Sequence, residues 1–443
     1  MSISKVCQRI KELFDETRGK EIKSAARNKD DHTSWMRERS MPLHDILTCT
    51  LGKKGLSGVM EVRQYFEAAG KMEEAVSKQD YFKQRKKPNP EAFRVLNRHY
   101  LQRFYAGDEA RTWRGHLVMA VDGSRAEIPN SAENRGTYGE SENKYGKQVA
   151  RANIGALHDA FNRFILDIGI HKYTDSEIAE AKAHIPELRE ITGDRPALPM
   201  FDRNCSSLEF IDFLERSGVK YLIRLHSNDF ADERAGMARA DGRVELAHTP
   251  NRLRHIRQKF PLRASELEGR PSTPARIIKA GLGNGESAAF VTNLTEGSAG
   301  DIKRLYKKRW SIEKKYHTLK NKLRFESVTG KASVYVKQDF WAQMQVYNIV
   351  QDLITAAEER VARLAGKKRF RYVMRINENV AIGLFKERFV RLVLEEDDRV
   401  KDEMFRRLIA EMQRHIVPVR ELKSSPRKWR YFNKYKCNQK PSF

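Results

Sequence analysis

Two short apolar runs, each closed by an aspartate, constrain the fold of this chain more than any other pattern in it. The first run is HLVMAVD at residues 116–122, and the second is ALPMFD at residues 197–202. Each has the length and composition of a buried strand. A carboxylate at the end of such a strand is costly to bury without a partner, and sites gather there in open α/β sheets. We therefore predict an α/β fold with Asp122 and Asp202 at its functional edge.

The segments that follow these runs supply the other elements of the predicted core. Residues 148–158 and 163–171 have the composition of two strands joined by a short turn, and residues 219–225 predict a further strand. Helix-forming sequence at 175–185 and 208–217 follows serine or aspartate residues that can cap a helix. The predicted order is therefore β-β-β-α-β-α-β.

This order is interrupted at residues 227–298 and flanked by helical sequence. Strand-like pieces lie at 243–246, 276–279 and 287–293, and an Asn-Gly pair at 284–285 favours a hairpin turn between the last two. The predicted domains are a helical DNA-binding domain at 1–110, a catalytic core at 111–226 and 299–330, a β-rich insertion at 227–298, and a helical C-terminal region with a basic tail at 331–443.

A strong excess of positive charge is the main clue to a partner. The chain carries 84 Lys and Arg against 59 Asp and Glu, a net charge of +25. This excess predicts a polyanion, most simply nucleic acid. A membrane surface is the alternative, but the basic residues are spread over the whole chain and not concentrated on one amphipathic helix. The basic segments at 82–87 and 427–436 suit DNA contact, although the first also suits a solvated loop and the second a tail packed on the domain.

Cysteine usage and hydropathy indicate a compartment. The cysteines at 7, 49, 205 and 437 show no CxxC spacing, so neither a zinc site nor a disulfide framework is predicted. No apolar run reaches the length of about 18 residues that a membrane span needs. The N-terminal sequence has charges where a signal peptide has its apolar core. A cytoplasmic protein without a membrane partner is therefore expected.

A third candidate carboxylate lies on a helix predicted from residue 306. At about 100° per residue, Tyr306, Arg309, Glu313 and Lys320 fall within one narrow stripe. An apolar stripe lies beside it, and lysines fill much of the remaining face. Glu313 is thus one carboxylate among a phenol, an arginine and a lysine, which suits a metal-binding group beside a phosphate backbone. The simpler interpretation is an i,i+4 ion pair between Arg309 and Glu313 on a helix surface.

Asp122, Asp202 and Glu313 together suggest a chemistry that none of them indicates alone. Three carboxylates from separate elements can hold two divalent ions through oxygen ligands. Two such ions can activate an attacking oxygen and stabilise a leaving oxygen in phosphodiester cleavage. Taken singly, an aspartate at the end of a strand is more often a turn former or a helix cap.

These motifs and the element order resemble a known family. The order resembles the ribonuclease H-like core. The helix at 306–320 carries its tyrosine, arginine, glutamate and lysine at the spacings of the Tyr-Arg-Glu-Lys signature of DDE transposases of the insertion-sequence-4 type, and Trp310 also fits that group. The strings VDGS at 121–124 and FDRN at 201–204 resemble the other two acidic motifs of these enzymes. The β-rich insertion before the helix agrees with the same resemblance, which covers residues 116–325.

The resemblance implies a reaction and a set of residue roles. It implies that three carboxylates bind two Mg²⁺ or Mn²⁺ ions: Asp122, Asp202 and Glu313. It implies that three further side chains contact DNA phosphates near the transposon end: Tyr306, Arg309 and Lys320. The implied reaction is cut-and-paste transposition, in which water and then a 3′-hydroxyl attack phosphodiesters of double-stranded DNA, at terminal inverted repeats and then in target DNA. The implied assembly is a homodimer in a synaptic complex, in the bacterial cytoplasm at the nucleoid.

Two alternatives stay open on the residues. A metal-dependent nuclease without strand transfer would use the same carboxylates, and a non-catalytic DNA-binding protein would need only the positive charge. One departure from the family concerns a hairpin intermediate, because some relatives stack a flipped base on a Trp in the insertion and residues 227–298 contain none. Phe230, Phe260 and Phe290 are the aromatic candidates for that role.

Overall fold

The computed structural model describes residues 3–28, 35, 41–143, 145–281, 287–365 and 372–419. The chain divides into two compact units. The first unit comprises Met1–Phe104, Ala126–Ala152 and Tyr316–Phe443, and the second comprises Tyr105–Arg125 and Asn153–Lys315. The predicted hairpin turn at 284–285 and the basic tail at 427–436 lie outside the described residues. Among the residues that are described, no helix is both long enough and apolar enough to span a bilayer.

Most of the strands form one large mixed sheet. Within the described residues the strands are β1 (Leu117–Glu127), β2 (Glu140–Glu142), β3 (Gln148–Asp159), β4 (Ile165–Lys172), β5 (Ala197–Phe201), β6 (Leu222–Arg224), β7 (Asp241–Ala247), β8 (Ser272–Gly281), β9 (Ser287–Thr292), β10 (Met374–Ile376) and β11 (Ile416–Pro418). The sheet has the order β4-β3-β1-β5-β6-β9-β8-β7, and β2 pairs with the first residues of β3. The pairs β1–β5 and β5–β6 are parallel, and the pairs from β6 to β7 are antiparallel.

Helices make up most of the remaining structure. In the same described residues they are α1 (Ile3–Glu16), α2 (Lys20–Ala25), α3 (Leu43–Gly52), α4 (Gly58–Ala68), α5 (Lys78–Arg85), α6 (Glu91–Ala106), α7 (Ala132–Tyr138), α8 (Glu177–Thr192), α9 (Leu208–Arg216), α10 (Ala231–Ala235), α11 (Pro250–Lys259), α12 (Pro261–Glu268), α13 (Ala299–Tyr306), α14 (Ser311–His317), α15 (Ser333–Ala365), α16 (Glu378–Leu394) and α17 (Asp398–Arg414). The path β1-β3-β4-α8-β5-α9-β6 is the predicted order, with α7 and β2 added after β1. The predicted α/β class is confirmed, and this order is the one on which the resemblance to the ribonuclease H-like core rests.

The centre of the sheet is apolar because it is buried on both faces. Leu117, Val118, Met119 and Ala120 of β1 are all fully buried, and they pair in parallel register with residues 197–200 of β5. A strand covered on both faces carries a continuous apolar run and not an alternating one. The two runs of the sequence are therefore the two adjacent central strands of the sheet.

Helix α8 is longer than predicted. The prediction ended at residue 185, the end of the stretch with helix-forming composition, and Pro186 follows, which removes one helical hydrogen bond. The structure carries the helix through Pro186 to Thr192, and Gly193, at φ +59°, ends it. Ser176 caps the start by accepting a hydrogen bond from the main-chain N–H of Ile178.

The interruption at 227–298 contains helices as well as the expected strands. Strands β7, β8 and β9 cover the strand-like pieces, and they continue the main sheet through the pairing of β9 with β6. Helices α10, α11 and α12 were not predicted. The signal for α11 was present, since Thr249 accepts a hydrogen bond from the Arg252 N–H and Pro250 occupies the first turn.

The prediction of one uniform α-helix over 306–320 is wrong, because the type of helix changes along this segment. Helix α13 ends at Tyr306, a 3₁₀ turn spans Lys307–Trp310, α14 follows, and a π turn spans Thr318–Lys322. A 3₁₀ turn has fewer residues per turn than an α-helix and a π turn has more, so the uniform 100° spacing does not hold. The π turn has a tertiary cause, because Glu378 accepts hydrogen bonds from both Thr318 and Lys322.

The first unit is built around α15. This helix packs against α1, α3, α16 and α17, and its inward face carries buried acids as well as apolar side chains. Asp352 accepts hydrogen bonds from the Arg9 guanidinium and from the Tyr100 hydroxyl. Asp339 is fully buried and pairs with Lys53 and Arg85. Buried ion pairs therefore join the N-terminal helices to α15 within this unit.

The turn between β3 and β4 depends on one buried carboxylate. Asp159 accepts from the Tyr105 hydroxyl at 2.8 Å and from the Asn162 amide at 2.7 Å. Its other oxygen accepts from the main-chain N–H groups of Phe161 and Asn162. One side chain therefore organises the whole turn.

We expect Asp159→Ala to lower the free energy of unfolding by about 2–3 kcal/mol, because it leaves several buried donors without an acceptor. Urea unfolding followed by circular dichroism measures the loss. Asp159→Asn keeps an oxygen for the two main-chain donors, so its loss should be clearly smaller. Equal losses in the two variants would show that the hydrogen bonds from the main-chain N–H groups of Phe161 and Asn162 contribute nothing.

Candidate active site

The two predicted aspartates lie next to each other just beyond the paired residues of the central strands β1 and β5. Ala120 of β1 pairs with Met200 of β5, so Asp122 and Asp202 each lie two residues beyond this pair on adjacent strands, which are about 4.8 Å apart. Asp122 does not end its strand, as the sequence suggested, because β1 continues to Glu127; it marks the point where burial decreases. Asp202 follows β5 and caps a 3₁₀ turn through the Asn204 N–H.

Arg309 is the charged group that connects Asp122 to Glu313. Its Nη1 lies 3.4 Å from Asp122 Oδ2, and its Nη2 lies 3.5 Å from Glu313 Oε1. The Arg309 side chain is buried, and its Nε and Nη1 make no hydrogen bond to any described residue. The i,i+4 pair with Glu313 is therefore present, but the same guanidinium also reaches the carboxylate of β1.

Tyr306 is buried beside this cluster. Its hydroxyl donates a hydrogen bond to the main-chain carbonyl of Phe201, the residue before Asp202, and its ring packs on Phe290. Burial raises the pKa of Tyr306 to about 12, so the phenol stays protonated. In this conformation Tyr306 fixes the end of β5.

Lys320, the fourth residue of the predicted stripe, belongs to the first unit. It lies in the π turn after α14, and its Nζ is 3.7 Å from Glu326 Oε1. The second unit thus brings together Asp122, Asp202, Glu313 and Arg309.

The three carboxylates influence one another electrostatically. The pKa of Asp122 is raised to about 6, with burial as the largest cause; Arg309 and the Gly123 N–H act against this rise, and the charges of Asp202 and Glu313 add to it. Carboxylates that repel one another in a partly buried site attract a cation.

Asp122, Asp202 and Glu313 offer carboxylate oxygens, the ligands that suit a hard divalent cation. Within the described part of the chain, no three Asp, Glu, His or Cys side chains are spaced to surround an ion by themselves. The guanidinium of Arg309 is the positive group between Asp122 and Glu313 in this conformation. The carboxylates of the site are therefore of the kind that bind a metal ion, and Arg309 lies between two of them, Asp122 and Glu313.

Sequence reasoning missed three side chains beside these aspartates. Glu177, Glu180 and His184 of α8 line the same small cavity as Asp122 and Asp202. Their spacing of three and four residues places them on one face of a helix, and that signal was present in the sequence. It was missed because a charged helix face is usually solvated.

The aromatic candidates of the insertion differ in exposure. Phe290 and Phe230 are 2% and 7% exposed, so neither ring is available for stacking on a base in this conformation. Phe260 is 47% exposed, and Trp310, beside Arg309, is 49% exposed. Phe260 is thus the insertion candidate that the structure leaves accessible.

Comparisons with known proteins connect this geometry to a family. Residues 113–349, which include Asp122, Asp202 and Glu313, match the family model described as "Transposase DDE domain". The chain is 25% identical over 261 residues to the transposase InsG for insertion sequence element IS4 of Escherichia coli (strain K12). That match covers 56% of this chain and 54% of InsG, so the chain spans about half the length of this curated relative. Among solved structures, a cryo-EM structure of a piggyBac transposase synaptic complex with hairpin DNA matches with a TM-score of 0.43 and 9% identity, over 93% of this chain and 86% of that one.

Proposed function

This chain belongs to the transposase DDE domain family, and from that premise we propose that it is a transposase of the insertion-sequence-4 type. Its proposed reaction is metal-dependent cleavage of DNA at the ends of a mobile element, followed by transfer of the cut strands into target DNA. The observation that carries the proposal is the grouping of Asp122, Asp202, Glu313 and Arg309 inside the matched residues. The net charge of +25 supports a DNA partner.

Asp122, Asp202 and Glu313 are the residues that would hold divalent ions, with Mg²⁺ or Mn²⁺ as the proposed identity and two as the proposed number. Such ions, when bound, activate an attacking oxygen and stabilise the leaving one. The contribution of the protein is placement. The adjacent strands β1 and β5 fix the two aspartates, and the Tyr306 hydroxyl holds the end of β5 through Phe201.

Arg309 would neutralise the phosphate that is cut. A guanidinium binds phosphate oxygens in pairs, and the pairs of Arg309 with Asp122 and Glu313 are long enough to be exchanged for such contacts. Lys320 would add a point charge to a neighbouring phosphate.

The proposed partners and domains follow from the same premise. We propose that the helical N-terminal region, residues 1–110, contacts the terminal inverted repeats, and that the catalytic core comprises 111–226 and 299–330. The insertion at 227–298 and the helical region at 331–443 complete the proposed arrangement. A homodimer that holds two element ends, in the bacterial cytoplasm at the nucleoid, is the proposed working form.

The decisive experiment uses end sequences of the element that encodes the chain. Purified protein is incubated with end-labelled duplex and a supercoiled plasmid, with Mg²⁺ or with a chelator. We expect cleaved ends and joined product with Mg²⁺ and neither product with the chelator. Cleavage without joining, even from pre-cut ends, would identify a nuclease, and binding without any cleavage would identify a DNA-binding protein.

We expect Arg309→Ala to slow cleavage by about 100-fold, because removing one preorganised group that stabilises developing charge has an effect of this order. The cleavage rate of Arg309→Lys should fall between the rates of the unmodified protein and of Arg309→Ala, because lysine keeps the charge but lacks the paired donors of a guanidinium. Arg304→Ala is the matched control: Arg304 lies in α13, five residues earlier in the chain, and its side chain is 73% exposed. Equal rates for Arg309→Ala and Arg304→Ala would remove Arg309 from the mechanism.

A further inference from the structure

The cavity beside Asp122 and Asp202 has a second polar wall that the proposed function does not use. This wall is formed by Glu180 and His184 of α8. The two side chains are 3% and 1% exposed, so both are buried more completely than the Asp122 side chain. Each also presents a polar atom, Glu180 Oε1 or His184 Nε2, that has no hydrogen-bond partner among the described residues. Buried polar atoms without partners are rare and call for an explanation.

The orientation of His184 is set by a carboxylate behind it. His184 Nδ1 lies 2.8 Å from Asp167 Oδ2 of β4, and Asp167 is itself buried. Because the carboxylate accepts a hydrogen bond, Nδ1 carries a proton, and a ring with that proton alone has a free lone pair on Nε2. A carboxylate that holds a histidine in this way is the usual support of a metal-ligating imidazole.

Glu180 is placed next to this lone pair. It precedes His184 by four residues, so both side chains lie on the same face of α8. Gly155 of β3 leaves the space that they occupy, because a Cβ there would lie 3.0 Å from Glu180 Oε2 and 3.1 Å from His184 Nε2. Burial, with the charges of Glu177 and Asp175, raises the pKa of Glu180 to about 7. A carboxyl in this environment gains from a nearby cation.

We propose that Glu180 and His184 bind a divalent transition-metal ion of the Mn²⁺ or Zn²⁺ class on the α8 side of the cavity that Asp122 and Asp202 also line, through ligands that the proposed carboxylate centre does not use. The ligands are a carboxylate oxygen of Glu180 and the Nε2 lone pair of His184. Since no three candidate side chains of the described residues surround one point, solvent completes the coordination, as it does at many sites with few protein ligands. The imidazole selects a transition metal over Mg²⁺.

The test uses Mn²⁺ as the probe on the full chain without DNA, at about pH 8 and with any affinity tag removed, because protons compete with metal for these ligands. Pulsed electron paramagnetic resonance detects nitrogen bound to Mn²⁺. We expect a nitrogen signal in the unmodified protein and its loss in His184→Gln. Glu180→Gln should weaken Mn²⁺ binding at this site by at least about 10-fold.

Two variants separate this site from structural effects and from the proposed reaction. His158→Gln is the matched control, since His158 is also buried with an unpartnered Nε2 but does not line the cavity; it should keep the nitrogen signal. Glu313→Gln, expected to be inactive on DNA, should also keep it. If His184→Gln does not fold, Asp167→Asn, which retains the imidazole, should weaken binding by about 10-fold. A nitrogen signal absent from the unmodified protein, or unchanged in His184→Gln, would overturn the proposal.

Discussion

Asp122→Asn and Glu313→Gln are each expected to reduce DNA cleavage at element ends by at least about 1,000-fold, which corresponds to about 4 kcal/mol of lost transition-state stabilisation. The physical reason is the loss of charge at a cluster whose proposed task is to hold divalent cations. Each substitution keeps the shape of the side chain and removes one negative ligand. The measurement is a single-turnover cleavage rate with Mg²⁺ on labelled duplex ends.

The stability of the same variants provides an internal check. The pKa of Asp122 is raised in the folded protein, so at neutral pH its ionised form opposes folding. Asp122→Asn removes that charge, and we expect its melting temperature to be equal to or above that of the unmodified protein. Loss of activity with retained or increased stability is typical of a site shaped for function.

Asp301→Asn is the matched control for these substitutions. Asp301 lies on α13 in the same unit, pairs with Arg304 and caps the helix with Ser298. We expect it to lower stability modestly, through the lost cap, and to leave the cleavage rate within about 3-fold of the unmodified protein, because caps contribute about 1 kcal/mol to stability. Full activity in Asp122→Asn or Glu313→Gln would disprove the proposed site.

Asp339→Ala is expected to lower the free energy of unfolding by about 3–5 kcal/mol. Asp339 is fully buried on α15, and its oxygens pair with Lys53 Nζ at 2.7 Å and with the Arg85 guanidinium. It also accepts the Thr329 N–H at 2.7 Å. Removing the carboxylate leaves two buried cations without a counter-ion, which is far more costly than losing an exposed pair.

Equilibrium urea unfolding measures the effect, and its pH dependence identifies the cause. Burial alone would raise the pKa of Asp339, but Arg85 and Lys53 outweigh it and hold that pKa below its usual value. A carboxyl with a lowered pKa stabilises the fold above its unfolded pKa, and this contribution is lost as the pH falls through the folded pKa. The difference in the free energy of unfolding between the unmodified protein and Asp339→Ala should therefore be largest near neutral pH and should decrease in strong acid.

Asp80→Ala is the matched control for Asp339. Asp80 lies on α5 in the same unit and is exposed, with Ser77 as its hydrogen-bond partner. We expect its loss to be about 1 kcal/mol or less. If Asp339→Ala lowered the free energy of unfolding by no more than Asp80→Ala does, water would have to reach Lys53 and Arg85 and solvate them.

The central strands were predictable because their burial leaves a direct mark on the sequence. A strand covered on both faces needs a continuous apolar run, and 116–122 and 197–202 have no other plausible place in a folded domain. The same runs also indicated Asp122 and Asp202, because the first polar residue after a buried apolar run lies where the chain becomes less buried. Glu313 came instead from the polar stripe on the predicted helix, and the family resemblance agreed with it.

The segment from 306 to 322 was less predictable because distant contacts decide its winding. Its composition favours one helix, yet Glu378 fixes Thr318 and Lys322 from 60 and 56 residues away in the chain. Such contacts override local propensity. Glu180 and His184 were missed for a related reason, since their sequence context suits a solvated face and only the packing of α8 on β4 reveals their burial.

The continuation of the sheet into β9, β8 and β7 has a consequence for solubility. Strand β6 is only three residues long, and without β9 its open side would offer unpaired main-chain groups to another molecule. The exposed border moves instead to β7, where Arg243 and Glu245 point charges outward and discourage pairing between copies of the chain. Residues 227–298 therefore protect the protein against self-association, and a deletion variant that lacks them should aggregate.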